Sequence, residues 1–293
     1  MLSLKFWFSI SRGCSGYAVL KRIALIDCDI NVTIPAKMNK EYDIGGICAY
    51  NESGSIAESY VSGAIKIIIN SDSSSYSNYI GGIVAEMPLS SVKNVFNLCE
   101  ISVDATSSSN SNYIGGITGK MGSLGTYLYN AGNIMCTEKE NNSKCYIGNI
   151  AGTVTSSANF NSTCYSFYYL KSLSNYTAIG NRTDSYYSDV VGLTIGQMKS
   201  QSAFNFDFDN VWIIDPASEY PYPTLQEVPY VSSGSSPQPT TEPEQNETNP
   251  SSDSSLKGDI NGDGKVNATD AAIILVYAAM TGAGHQVSID DLY

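Results

Sequence analysis

Between residues 23 and 155 the chain repeats itself, and that repetition limits the fold more than any other feature. Four segments carry one phrase: DIGGICAYN at 43–51, YIGGIVAEM at 79–87, YIGGITGKM at 113–121 and YIGNIAGTV at 146–154. Their first isoleucines, Ile44, Ile80, Ile114 and Ile147, stand 36, 34 and 33 residues apart. A second phrase keeps the same phase, beginning at Leu25 (LIDCDINV), Tyr60 (YVSGAIKI), Phe96 (FNLCEISV) and Tyr129 (YNAGNIMC). Within it Cys28, Gly63, Cys99 and Gly132 align, as do Ile30, Ile65, Ile101 and Ile134. Regular periods of this length belong to stacked architectures. Each unit holds two short apolar strands in period-two alternation, separated by Gly, Ser and Asn. In LIDCDINV the alternation turns Ile26, Cys28, Ile30 and Val32 inward, with Asp27, Asp29 and Asn31 outward. One coil cannot cover its own apolar edge, whereas stacked coils bury it and pair their backbones. The expected fold is mainly β: a parallel β-solenoid of about four to five coils of 33–36 residues. An antiparallel β-sandwich built from the same strands is the alternative.

The I-G-G-I phrase resembles the GLUG repeat, found in bacterial surface proteins and as a non-catalytic region of some secreted peptidases. Three copies keep the pattern, and the fourth has Asn149 for the second glycine. Glycines there fit a tight bend or a close approach between coils. They do not make a phosphate loop, since no GxGxxG or GxxxxGK[ST] opens a helix. Cys28 and Cys99 take the small inward position that glycine fills elsewhere, which suits buried core thiols. The seven cysteines lack CxxC spacing and show no obvious disulfide framework.

Three polar insertions, SDSSSYSN (71–78), ATSSSNSN (105–112) and TEKENNSK (137–144), fall at one phase and project from one side. They read as a solvated loop row, with a polar ligand-binding edge as the alternative. Tyr79, Tyr113 and Tyr146 also recur in phase, as packing between coils or as a platform for sugars. From about 156 to 190 the repeat degrades. LTIGQMKSQSAFNF, DNVWIID and SEYPYPTL then read as a short helix, a strand and a proline-ended tail, which close the last coil and shield its edge. Residues 231–257, with four prolines and few bulky apolar groups, are expected to form a disordered Pro/Ser/Thr linker. The organisation expected is an uncertain N-terminal segment (1–22), the β-repeat region (23–190), its cap (191–230), the linker and a final module (258–293).

That module is built on GDINGDGKVNATD. Asp259, Asn261, Asp263, Asn267 and Asp270 fall at positions 1, 3, 5, 9 and 12 of a twelve-residue loop, with Gly264 at position 6. This is the spacing of an EF-hand-like calcium loop. Short oxygen-bearing side chains on alternate residues turn inward, the Lys265 carbonyl adds a ligand at position 7, and the glycine permits the sharp turn. The last ligand is Asp270 rather than Glu, and AAIILVYAAM follows. GDINGDGKVNATDAAIILVYAAM resembles the first half of a type I dockerin, the module that plugs bacterial enzymes and surface proteins into cohesin receptors. The resemblance implies cohesin contacts at Ala268 and Thr269, then at Leu275, Val276 and Met280. Some dockerins carry a basic pair where Leu275 and Val276 stand, so this chain is expected to present an apolar contact and a different cohesin preference. The helix at 271–280 is apolar nearly all round and asks for a second loop-helix to cover it. The chain stops at QVSIDDLY, so a half-formed module with weakened calcium affinity is expected.

A net charge of −12 argues against nucleic acid, whose phosphates need lysine and arginine. MLSLKFWFSI is too short to span a membrane and is a weak signal peptide at best, so the start is expected to lie inside a longer gene. His285 is the single histidine and follows the calcium helix; no HExxH and no GxSxG occurs. Paired carboxylates need only converge in space, and the outward positions of the second phrase (Lys66, Glu100, Ser102, Asn133, Met135) build no acidic cleft. The function expected is a secreted, non-catalytic β-repeat protein anchored through Ca2+ to a cohesin scaffold, cellulosome-like or at the cell surface. It would serve polysaccharide catabolism and possess, as a further option, a polysaccharide or surface-glycan ligand. A polysaccharide hydrolase or lyase is one alternative, and a structural adhesin stalk is another.

Overall fold

The chain divides into two compact units, Met1–Gln238 and Pro239–Tyr293. The computed structural model describes residues 19–231 of the first unit, apart from 37–39, 72–75, 123, 139–143, 156–163, 174 and 182–188. These residues wind into a parallel β-solenoid of four full coils and a partial fifth.

Each full coil contributes four strand segments. In the third they are Ser91–Asn97, Glu100–Ala105, Ser111–Gly115 and Thr118–Met121. In the fourth they are Leu124–Asn130, Ile134–Glu138, Cys145–Gly148 and Ala151–Val154. Coil two merges the first pair into the long strand Ser55–Ile69, and coil one matches it with Val19–Lys21 and Ala24–Ile34. Every pairing between coils is parallel, and the aligned phrases of the sequence fall in register: Ile44, Ile80, Ile114 and Ile147 form one ladder. Ile30, Ile65, Ile101 and Ile134 form another. The parallel ladders decide against a sandwich. The degraded stretch also keeps the repeat, since Cys164–Leu170 pairs in register with the fourth coil.

The glycines of I-G-G-I are there because the chain bends tightly and the coils approach closely. A Cβ on Gly45, Gly81, Gly115 or Gly148 would lie 2.0–2.1 Å from the carbonyl oxygen three residues on, across the bend of its own coil, and one on Gly46, Gly82 or Gly116 would lie 2.2–2.3 Å from a carbonyl oxygen of the next coil. Replacing Gly115 by alanine is therefore expected to cost at least about 3 kcal/mol, the upper end for overpacking. Gly196→Ala, where no neighbour lies within 4 Å, should stay within about 0.5 kcal/mol. Urea unfolding of the two variants checks the contrast. Asn149 replaces glycine in the fourth coil, where its Nδ2 donates to the Tyr176 carbonyl at 2.6 Å.

One corner recurs in every coil. Arg22, Glu58, Asn94, Tyr127 and Ser166 all adopt left-handed backbone, with φ between 47° and 62°. Each costs about 1 kcal/mol in strain, and the ladder is skipped at each. The corner resets the alternation, so that Val95, Leu128 and Phe167 face the interior while Tyr60, Phe96, Tyr129 and Tyr168 face out.

Two expectations need correction here. Ile26 does not share the inward face of Cys28, Ile30 and Val32. Ile26 and Asp27 together stand opposite Ser62, a bulge with Asp27 at φ 52°, and this turns Ile26 onto the outer aromatic cluster. The C-terminal stretch does contain the short helix (Ile195–Met198, with a Thr194/Gln197 capping box) and the strands Trp212–Ile213 and Thr224–Leu225. It does not merely close the last coil; it runs back along the flank. Asn205 meets Tyr168 of the fifth coil, Trp212 meets Asn94 of the third, and Pro229 and Val231 meet Tyr60 of the second. Arg22 of the first coil pairs with Glu227 at 3.2 Å. The outward aromatic column needs this cover, because four large rings in a row would otherwise lie in water.

Candidate functional site

The tyrosine column and the carboxylates beside it form the most chemically loaded surface among the described residues. Tyr79, Tyr113 and Tyr146 stack face to face at 5.3 and 4.8 Å between centroids. Rings stacked this way hide their faces from any sugar, so the column packs the coils together. In the first coil the tyrosine position is taken by Asp43. Its neighbours are Glu41 and Glu86; one carboxylate oxygen of each of the three lies within 4.8 Å of the others. Lys120 reaches back from the third coil to Glu86 at 2.6 Å and sits 4.8 Å over the Tyr79 ring.

Burial decides the protonation of this cluster. Asp43 is 9 % exposed, and its Oδ1 is buried without a hydrogen-bond partner. Burial, then repulsion from Glu41 and Glu86, pushes its carboxyl up to about 8, with Lys120 acting the other way. Burial also raises Glu41. Burial works against the charge on Lys120, but the contact with Glu86 more than offsets it and raises its pKa. At neutral pH the site thus holds a protonated carboxyl beside an ion-paired one. The unfolded chain ionises an aspartate near pH 4 (about 3.9), so between about pH 4 and 8 the folded state binds more protons. Stability contributed by protonated Asp43 is complete below about pH 4 and lost as pH rises through about 8. Asp43→Asn should therefore raise the thermal midpoint at pH 8 and leave it unchanged at about pH 4. Loss of stability at both pH values, by circular dichroism, would refute this.

Sequence reasoning missed this cluster because it sought acids on the outward positions of the second phrase. Asp43 and Glu86 belong to different halves of the first phrase, and only the turn between them brings the two columns side by side. A departure from tyrosine at 43 was the available signal. The loop row is also less solvated than expected. Ser71, Ser108, Asn110 and Asn112 are buried, and adjacent loops are tied by Ser109 N to Ser71 O at 3.2 Å and Lys144 Nζ to Ser109 O at 2.9 Å. Cys28 and Cys99 are core thiols, as their glycine-like positions imply, with sulfurs 3.3 Å apart. Of the positions read as outward on the second phrase, Lys66, Glu100 and Met135 are exposed, while Ser102 and Asn133 are half-buried.

The residues expected to bind calcium, Asp259, Asn261, Asp263, Lys265, Asn267 and Asp270, and those expected to contact cohesin, Ala268, Thr269, Leu275, Val276 and Met280, lie outside the described residues. His285 does too. Among the described residues no helix is long and apolar enough to cross a membrane. Neither a curated protein nor a solved structure matches the chain. The Dockerin type I domain family matches residues 245–291. Such domains bind Ca2+ through EF-hand-like repeats and take a cohesin as partner. The donor set fits the ion: short carboxylates and amides on alternate residues around a glycine are all hard oxygen ligands. At its C-terminal end, over residues 245–291, this chain carries a type I dockerin domain.

Proposed function

We propose that this protein is a secreted, non-catalytic β-solenoid of GLUG type, delivered to a cohesin-bearing scaffold at the cell surface or in a cellulosome-like assembly. The observation that carries the reading is the dockerin match at residues 245–291. In it Asp259, Asn261, Asp263, the Lys265 carbonyl, Asn267 and Asp270 hold the calcium. Ala268, Thr269, Leu275, Val276 and Met280 meet the cohesin, and the apolar Leu275–Val276 pair sets which cohesin is chosen. The solenoid would then be the cargo, placed against polysaccharide or a surface glycan. Support for a glycan ligand is an uncovered flat face. Asp29, Asn31, Lys66, Glu100, Asp104 and Thr137 are exposed on successive strands of the first four coils, spread over three adjacent rows of the ladder. Strands about 4.8 Å apart give such groups a regular spacing suited to a repeating polymer.

One arrangement favours the enzyme alternative. Asp43 protonated beside an ion-paired Glu86 is the kind of unequal carboxyl pair that glycoside cleavage uses. Both are largely buried, which speaks for a structural role. Incubating the full chain with a panel of plant and surface polysaccharides separates these readings. Retention without product supports the binder, soluble sugar abolished by Asp43→Asn supports the hydrolase, and neither leaves the stalk.

A further inference from the structure

Two cysteines of the fourth coil face each other at a place where the other coils carry different residues. Cys136, on Ile134–Glu138, pairs in register with Val103, which pairs with Ile67, which pairs with Val32. Cys145, on Cys145–Gly148, pairs with Asn112, which pairs with Asn78, which pairs with Tyr42. The coil before thus presents Val103 and Asn112, and the coil before that Ile67 and Asn78. Asn78 and Asn112 continue a ladder of their own, Nδ2 to Oδ1 at 2.8 Å. In the fourth coil both columns change to cysteine together. The two sulfurs lie 3.2 Å apart, nine residues apart in sequence. Independent core thiols have no reason to replace two facing residues in one coil only.

We propose that Cys136 and Cys145 are a disulfide-forming pair that staples the last corner of the solenoid. Ile134–Glu138 is the terminal strand of its ladder among the described residues, with a neighbour on one side only. Repeat stacks fray from their ends, since a terminal unit has one interface instead of two. A bond there joins the edge of one sheet to the edge of the next. A disulfide bond is about 2.05 Å long, so sulfurs already 3.2 Å apart have about 1 Å to close.

The chemistry is thiol–disulfide exchange with a small disulfide or an exported disulfide carrier as oxidant, in the oxidising space where such bonds persist. Cys136 donates toward Cys145, and that contact followed by burial keeps the Cys136 proton in place. Glu138, whose carboxylate oxygen lies within 4.8 Å of both sulfurs, can take the proton from Cys145. The Cys145 thiolate attacks the oxidant, forms a mixed disulfide and expels one thiolate. Cys136, giving its proton to the thiolate expelled first, then attacks the Cys145 sulfur and expels the second, which takes the proton held by Glu138. Two protein thiols become one disulfide, and one oxidant disulfide becomes two thiols.

The extracellular placement of this step rests on the function proposed above, but its test does not use docking. Full-length protein is treated with oxidised glutathione, and peptides are mapped without reduction by mass spectrometry. The expected result is one peptide linking Cys136 to Cys145, with slower hydrogen exchange over 134–138 and 145–148 than in the reduced protein. A thermal midpoint higher by about 5 °C or more should accompany it. The double variant Cys136→Val, Cys145→Asn, which copies the preceding coil, should fold with the same far-ultraviolet spectrum and lose both redox effects. Both cysteines remaining open to iodoacetamide after oxidation would overturn the proposal. So would the same redox shift in the double variant, or a stoichiometric soft metal ion such as zinc held by the pair. Cohesin binding is measured separately, so its failure would not be mistaken for failure of the staple.

Discussion

Chelating calcium with EGTA should abolish retention of the full chain on an immobilised cohesin panel, and adding calcium back should restore it. Asp259, Asp263 and Asp270 bring three carboxylates into one twelve-residue loop. Without a dication they repel one another and leave the loop without the tie that organises it. Binding and folding of such a loop are one event, so removal of the ion acts on the docking surface and not merely beside it. Asp259→Ala or Asp270→Ala takes away a ligand outright and should lower calcium affinity by about 100-fold or more, read by isothermal titration. Leu275→Lys should leave calcium affinity unchanged and shift which cohesins are retained. If the alanine variants bind calcium and cohesin like the parent, the proposed ligand set is wrong.

Trp212→Ala should cost about 3–5 kcal/mol, the range for removing a fully buried large aromatic. The indole stacks on Phe206 at 4.4 Å and lies 6.0 and 5.9 Å from Phe96 and Tyr129, at the centre of the cluster that binds the returning tail to the coils. Its Nε1 donates to Asn94 Oδ1 at 3.1 Å. Asn94 is one of the left-handed corner residues, so the same substitution leaves a buried amide unpartnered where the backbone is already strained. Trp212→Phe keeps most of the ring contact and loses the hydrogen bond, and should cost about 1–2 kcal/mol. Urea unfolding followed by circular dichroism measures both. A loss under about 1 kcal/mol for the alanine variant would mean that the tail does not hold the flank. With the tail released, Tyr60, Phe96, Tyr129 and Tyr168 become an exposed apolar stripe, and binding of a hydrophobic dye should rise in parallel.

The legible part of this protein was whatever repeats. Ile44, Ile80, Ile114 and Ile147 declare their register because a parallel stack puts equivalent residues on top of one another, so period and pairing are the same fact. Tyr79, Tyr113 and Tyr146 announced a ladder for the same reason, although only the ring geometry showed that their faces cover one another. What escaped were departures from alternation. Nothing in LIDCDINV marks Asp27 as left-handed. The bulge there exists because the long strand of the second coil must be matched across Ser62 and Gly63, the latter at φ 114°. Tyr60, Phe96 and Tyr129 open the second phrase in three coils, and their recurrence signals a column; its outward direction follows from the corner, which period-two counting cannot see.

The calcium loop at Asp259 to Asp270 stands at the other extreme. Its proposed ligands all fall within twelve residues of chain, so their spacing is legible without any tertiary contact, and the family match at residues 245–291 covers them. The repeat likewise determined the stack, because strand period and coil period are local quantities. Only the tertiary structure decided what lies beside what across coils: Asp43 against Glu86, Cys136 against Cys145, and Trp212 against Asn94. Those contacts depend on how sharply each corner turns and where the tail returns. Both are settled by packing among residues 9 to 118 positions apart, and no local pattern encodes them.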